Sequence, residues 1–151
     1  MYALAFLLWS STWTLAKETK YGFRDIEFGS SCRLHEDFDG FVEKTKKSKN
    51  VIIYHRPKDM LTLGKVDLEY IEYYCWKDQF YKVDINYANV GLNTKNLLLY
   101  LNKKWGYPGS SQVTRWEYRK KDFFAIMVPG NLQIYSQELY RKKRKKPDGG
   151  L

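Results

Sequence analysis

Residues 68–87, LEYIEYYCWKDQFYKVDINY, carry the clearest fold signal in the chain. Two runs of β-forming residues, 68–76 and 80–87, flank the polar pair Lys77-Asp78, and this pattern is typical of a β-hairpin. Side chains alternate along each run. Tyr70, Glu72, Tyr74 and Trp76 share one face of the first run, and Ile71, Tyr73 and Cys75 share the other. In the second run, Tyr81, Val83, Ile85 and Tyr87 lie opposite Lys82, Asp84 and Asn86.

Further extended and helical patterns lie on both sides of this hairpin. Strands are predicted over 21–28, 41–45, 50–55, 61–76, 80–87, 113–119, 123–128 and 132–140. A short helix is predicted from Ser30 or Ser31 to Gly40. A longer one is predicted over 93–105, capped by Asn93 or Thr94 and ended by Gly106 and Pro108. The order is one strand and then two units of a helix plus three strands. It predicts an α+β fold, an antiparallel sheet with both helices packed on one face.

The first sixteen residues, MYALAFLLWSSTWTLA, contain no charged side chain and end directly before Lys17. An apolar run followed by small residues is the layout of a secretory signal peptide with cleavage after Ala16. The predicted organisation is a signal peptide at 1–16, a single α+β domain at 17–140 and a basic disordered tail at 141–151. The expected location is the periplasm or the exterior of the cell.

The basic tail accounts for most of the net charge. Six consecutive basic residues at its start supply two thirds of the formal charge of +9. They are Arg141, Lys142, Lys143, Arg144, Lys145 and Lys146. Such a run is usually solvated and disordered. It also fits contact with anionic lipid or glycan of a cell envelope, and export argues against nucleic acid as the partner.

The chain has two cysteines, Cys32 and Cys75. An oxidising compartment would permit a disulfide between them. The alternative is a pair of half-buried thiols, because spacing alone does not fix their distance in space.

Three segments resemble a group of small exported bacterial proteins of unknown function. Gly22–Ser31 (GFRDIEFGSS) is similar to their opening motif GFRGIxWGT. Tyr73–Val83 (YYCWKDQFYKV) is similar to a YxFYKDKFYxV hairpin, and Leu101–Pro108 (LNKKWGYP) to an LxxKYGxP helix end. The resemblance implies an envelope location and an α+β fold. It implies no activity and no catalytic residues.

Catalytic motifs are weak throughout. Cys75 and His55 would sit on adjacent strands as a nucleophile and base, yet no orienting third group or oxyanion site accompanies them. His35 near Cys32 lacks further metal ligands at a suitable spacing. The sequence therefore predicts a non-enzymatic protein without metal or cofactor, with a small hydrolase as an alternative.

An aromatic set on the hairpin, Tyr70, Tyr74 and Trp76, is the candidate site for a protein partner. If helices cover one sheet face, these side chains would be presented on the other, and exposed aromatic patches mark interaction surfaces. The alternatives are a second core layer or burial in a homodimer. The two functional hypotheses are thus an envelope-protein binder using this face and an anionic-surface binder using the tail.

Overall fold

The fold is dominated by one antiparallel sheet. It comes from a computed structural model that describes residues 22–33 and 50–145 together with the backbone of 42–48. The elements are β1 (Gly22–Phe23), β2 (Ile26–Glu27), β3 (Val42–Ser48), β4 (Val51–His55), β5 (Thr62–Leu63), β6 (Val66–Trp76), β7 (Gln79–Tyr87), α1 (Val90–Trp105), β8 (Ser110–Gln112), β9 (Arg115–Arg119), β10 (Phe123–Val128), β11 (Asn131–Ser136) and α2 (Gln137–Lys145). Eight strands run in the order β3-β4-β6-β7-β11-β10-β9-β8, β5 pairs with β6, and β1 pairs with β2. The α+β class is confirmed.

The β6–β7 hairpin is confirmed and is joined by the predicted two-residue turn. Lys77 and Asp78 both have positive φ, 48° and 64°. Two successive left-handed residues are what a two-residue turn needs to match the twist of its strands. The turn is also tied to the N-terminal segment, since the Ser31 hydroxyl donates to Asp78 Oδ2 at 2.6 Å.

The predicted alternation places Tyr81 on the same face of β7 as Val83, and this placement of Tyr81 is wrong. Cys75 pairs with Phe80 and Tyr74 pairs with Lys82, so Tyr81 is an extra residue in a β-bulge. The bulge puts Phe80 in the main core and Tyr81 in a separate cluster with Tyr74. A bulge breaks the two-residue period of a strand, and periodicity alone does not reveal it.

The main core lies between α1 and one face of the sheet, which we call the first face. The opposite side of the sheet is called the second face. Leu97 and Leu101 of α1 are buried in the main core with Tyr73, Val83 and Met127. The helix begins at Val90, three residues before the predicted cap. Asn93 is buried inside the first turn, where its side-chain Nδ2 donates to the carbonyl oxygen of Ala88 at 2.7 Å. The end at Gly106 is as predicted, with φ of 77° and its amide bonded to the Asn102 carbonyl.

The N-terminal segment folds back on the same face instead of forming one strand over 21–28. Arg24, with φ of 58°, lies in the tight turn between β1 and β2. A disulfide joins Cys32 to Cys75 of β6. Ser31 forms a bridge with Gln79, where the sequence predicted the start of a helix. The rest of that predicted helix, residues 34–40, lies outside the described residues.

The C-terminal prediction needs two corrections. The last strand ends at Ser136 and not at Tyr140, and residues 137–145 form α2, although 141–145 were expected to be disordered. The Ser136 hydroxyl accepts a hydrogen bond from the Leu139 amide at 3.3 Å, which caps the helix. Leu139 is buried against the second face of the sheet. The two helices of the described part pack on opposite faces of the sheet. Packing of the helix predicted over 30–40 on the same face as 93–105 stays a prediction, because residues 34–40 lie outside the described residues. Four strands follow α1, not three.

Candidate anion-binding site

The predicted aromatic face is mostly a second core layer. Tyr70 is 44% exposed, but Tyr74 and Trp76 are only 6% and 5% exposed. They are buried in a cluster on the second face, formed with Val51, Ile53, Tyr81 and Leu139. Leu139 comes from α2, a helix that the sequence did not predict. By packing there, α2 covers the aromatic face that was predicted to be open. Tyr74 and Trp76 therefore do not offer an open surface to a partner.

A buried ion pair extends this second layer toward the centre of the sheet. Lys82 Nζ lies 2.7 Å from Asp84 Oδ2 on β7, and the side chains of both residues are about nine-tenths buried. Gln133 Nε2 donates to the same carboxylate oxygen at 3.1 Å, and Asn131 Nδ2 donates to Oδ1. The ammonium group also lies 4.3 Å from the ring centroid of Tyr74. The charges on both residues are satisfied within the fold, so the pair is structural.

Tyr135 closes this layer on the side of α2. Its ring stacks on Phe124 at a centroid distance of 4.6 Å and meets the edge of Tyr140 at 5.2 Å. Burial, with the nearby charge of Asp84, raises the pKa of Tyr135 to about 12. Tyr135 therefore remains neutral at physiological pH. Tyr140 also meets the Phe124 ring at a centroid distance of 5.0 Å, so two rings hold it and it anchors α2 to the sheet.

The anchored helix presents a row of cations. Arg141, Lys142, Arg144 and Lys145 are exposed. Lys143 is half-buried, with Nζ 5.8 Å from the Tyr81 ring centroid. One acidic residue, Glu138, pairs with Lys142 one turn later. The predicted tail is thus an ordered cationic helix over 141–145, and Lys146 lies outside the described residues.

A groove of about 340 Å³ lies between α2 and strands β9 and β10. We call it the arginine groove. Among the described residues, its lining consists of four arginines, one carboxylate and four uncharged residues: Arg115, Arg119, Arg141, Arg144, Glu117, Phe124, Ile126, Gln137 and Tyr140. Two of the arginines come from β9 and two from α2. The charge of its lining is therefore strongly positive, and a ligand that fills it should be an anion.

The carboxylate of Glu117 positions the two strand arginines of the groove. Glu117 accepts hydrogen bonds from Arg115 Nε and Arg119 Nη2, each at 2.9 Å. These bonds lower the pKa of Glu117 below its usual range, so it stays ionised. A guanidinium has five N–H donors. One bond to Glu117 therefore leaves each arginine with donors for a ligand, in an orientation that Glu117 fixes.

Two arginines on α2 complete the groove from the other side. In the amide orientation that satisfies its surroundings, Gln137 accepts a hydrogen bond from Arg141 Nη2 at 2.8 Å. The guanidinium of Arg144 lies 6.0 Å from the centroid of the Tyr140 ring. Planar guanidinium groups bind phosphate oxygens in pairs of parallel hydrogen bonds. The arrangement is chemically suited to phosphate-bearing ligands.

Other sequence candidates have structural roles or lie outside the described residues. Cys75 is bonded to Cys32, so it carries no free thiol to act as a nucleophile beside His55. His35 is not described. Within residues 22–33 and 50–145, no group of three or more His, Cys, Asp or Glu side chains is placed to hold a metal ion. In that same part of the chain, neither helix has the length and apolar character needed to cross a membrane.

No family model, curated protein or solved structure matches this chain. The resemblance to small exported bacterial proteins therefore remains a prediction from the motifs. The arginine groove has to be interpreted from its own chemistry.

The sequence predicted a role for Arg141 and Arg144 in binding anions, but it did not predict the contribution of β9. The alternation Arg115, Glu117, Arg119 was present in a predicted strand, and a period of two places these side chains on one face. Their link to residues 141 and 144 depends on the helix that turns the chain back across β9 and β10. Without that helix there was no reason to join the two groups of arginines.

Proposed function

We propose that this protein is a non-enzymatic binding protein that attaches to an anionic lipid surface through α2 and the arginine groove. The observation that carries the proposal is one groove lined by four arginines, two from β9 and two from α2, next to the exposed cations of α2. A solvated basic run would supply charge alone. An ordered helix over a groove supplies charge in a fixed arrangement.

The expected energy comes from many small contributions. A basic side chain close to an anionic membrane surface contributes about 1 kcal/mol, and the attraction decays over a Debye length of about 8 Å at physiological ionic strength. Exposed cations on one helix face and on an adjacent strand would act together on such a surface. The attachment should therefore be reversible and should weaken as salt is added.

The first test compares charge removal at the groove with equal charge removal elsewhere. Arg119→Gln/Arg144→Gln should lower the partition coefficient for vesicles of phosphatidylglycerol and phosphatidylcholine by at least tenfold, because two contributions of about 1 kcal/mol are lost. The matched control is Lys95→Gln/Lys103→Gln on α1, which packs on the other face of the sheet and removes the same charge. Co-sedimentation at several salt concentrations measures all three proteins.

The control should bind nearly as well as the parent protein. Equal losses in both variants would show that net charge alone drives binding and would contradict the role of the groove. Binding to a sulfated or phosphorylated glycan, with none to the vesicles, would contradict the lipid surface and favour the glycan.

We also propose that residues 1–16 are a signal peptide and that the protein acts outside the cytoplasm. The disulfide supports this, since such bonds persist mainly in oxidising compartments. Intact mass and N-terminal sequencing of the native protein from fractionated cells should show a chain that begins at Lys17 in the exported fraction. A chain that retains Met1 and stays in the cytoplasm would contradict export.

Binding of an envelope protein through the aromatic face has lost most of its support. Of the three residues that suggested it, only Tyr70 is exposed. We therefore do not put that hypothesis forward.

A further inference from the structure

The register of the sheet fixes the strand side of the arginine groove. Arg119 pairs with Phe124, and Glu117 pairs with Ile126, across β9 and β10. Directly paired residues of an antiparallel pair lie on the same face of the sheet. The Phe124 ring contacts Tyr140 of α2 at a centroid distance of 5.0 Å. Arg119 and Glu117 therefore lie on the face that α2 covers, held by a hydrogen-bonded backbone.

Glu117 uses both of its carboxylate oxygens to hold the strand arginines. Oε1 accepts from Arg115 Nε and Oε2 accepts from Arg119 Nη2, each at 2.9 Å. The Glu117 side chain is 20% exposed, whereas those of Arg115 and Arg119 are 43% and 70% exposed. The carboxylate is thus more enclosed than the two guanidinium groups that it orients. Their remaining N–H donors are accessible to a ligand.

The composition of the groove favours a ligand with more than one negative charge. Its described lining carries four positive charges and one negative charge, set among the apolar surfaces of Phe124, Ile126 and Tyr140. Apolar walls focus the field of such charges into the groove. A phosphomonoester carries a charge of about −1.5 to −2 at pH 7 and offers three acceptor oxygens. Three oxygens can accept pairs of hydrogen bonds from β9 and α2 together.

We propose that the arginine groove selects the phosphomonoester head group of a lipid over a phosphodiester, and that Glu117 sets this selectivity by positioning Arg115 and Arg119. The inference rests on the proposed attachment to an anionic lipid surface and names the head group of that surface. A phosphodiester has one negative charge and two free oxygens, so it cannot satisfy the arginines of both elements. The volume of about 340 Å³ lies in the range of small-molecule sites and accommodates a head group.

The first experiment compares two anionic lipids at equal surface charge. Phosphatidic acid and phosphatidylglycerol are each mixed into phosphatidylcholine vesicles, at fractions that give the same electrophoretic mobility. The protein should partition at least about fivefold better onto phosphatidic acid, because one further charge close to basic groups contributes about that factor. Equal binding to both would overturn this inference and leave attachment to anionic lipid intact. Binding to neither would contradict the attachment itself.

Glu117→Gln separates positioning from charge, because the two effects have opposite signs. The variant gains one unit of positive charge, so its binding to phosphatidylglycerol should stay equal or increase. Its preference for phosphatidic acid should be lost, because the amide cannot hold both arginines. The matched control is Asp67→Asn, an exposed carboxylate on β6, which β7 and β11 separate from β10. It adds the same charge and should keep the preference, and a Glu117→Gln variant that also kept it would overturn the role of Glu117.

Two further measurements test the geometry and the source of the phosphate. Arg119→Lys keeps the charge at an exposed side chain but removes the planar fork, so most of the preference should disappear. This variant also decides the question if Glu117→Gln does not fold, since an unchanged preference would overturn the proposal. Glycerol 3-phosphate, a soluble phosphomonoester, should bind in calorimetric titration at least about tenfold more weakly than phosphatidic acid vesicles, because it lacks the surface that the other cations of α2 contact. Equal affinity would assign the groove to a soluble phosphate ester and overturn the lipid source.

Discussion

Cys32→Ala/Cys75→Ala should lower the free energy of unfolding by about 4 kcal/mol. The disulfide closes a loop with a sequence separation of 43 residues, and the chain-entropy model gives about that value for such a loop. Both sulfur atoms are buried in the main core, so the loss of packing adds to the effect. For a domain of this size the midpoint of thermal unfolding should fall by roughly 10–15 °C.

Urea unfolding followed by near-UV circular dichroism measures the effect. The parent protein with a reductant is the matched control, since it loses the bond but keeps both sulfur atoms. It should account for most of the loss. A reduced protein as stable as the oxidised one would contradict the covalent link as a main source of stability.

The variant should still fold, because the N-terminal segment has a second attachment. The carboxylate of Asp59, which is almost fully buried, accepts hydrogen bonds from Arg24 and from the Tyr73 hydroxyl. Burial and the charge of Asp59 raise the pKa of Tyr73 well above its usual range, so this hydroxyl remains a donor at physiological pH. Asp25 and Arg56 add an ion pair at 3.1 Å. These contacts hold the turn between β1 and β2 in place without the disulfide.

The sequence predicted the hairpin well because both of its signals are local. Alternation over β6 and the polar pair Lys77-Asp78 depend on neighbours in the chain. The bulge at Tyr81 has no such signal, since it is set by how β7 pairs with β6. The bulge turns the Tyr81 side chain to the second face of the sheet, where it is buried as part of the second core layer.

The helix α2 was missed for a different reason. Six adjacent cations repel one another, and a run of this kind favours disorder in isolation. Leu139 and Tyr140 override that tendency by packing on Tyr81, Phe124 and Tyr135, contacts that exist only after the sheet forms. The arginine groove likewise forms only when α2 packs on the sheet. Its residues were visible in the sequence, but their meeting was a property of the tertiary fold.

Asp84→Leu should lower the free energy of unfolding by about 3 kcal/mol or more. Removing one partner of a buried ion pair leaves the other charge without compensation, and such losses are typically about 3–5 kcal/mol. Here the charge left behind is Lys82, whose ammonium is enclosed by the rings of Tyr74 and Tyr135. Gln133 and Asn131 also lose the acceptor to which they donate. Urea unfolding of the single variant gives the magnitude.

A double-mutant cycle tests the cause. Lys82→Met/Asp84→Leu replaces both charges with apolar side chains of similar length and should recover most of the stability, because no unpaired charge remains. Asp67→Leu, an exposed carboxylate on β6, is the control and should change the stability by no more than about 0.5 kcal/mol. If the double variant were as unstable as the sum of the single ones, the charges would be uncoupled. The loss would then come from the hydrogen bonds to Asp84, and the second layer would depend on its amides and not on its ion pair.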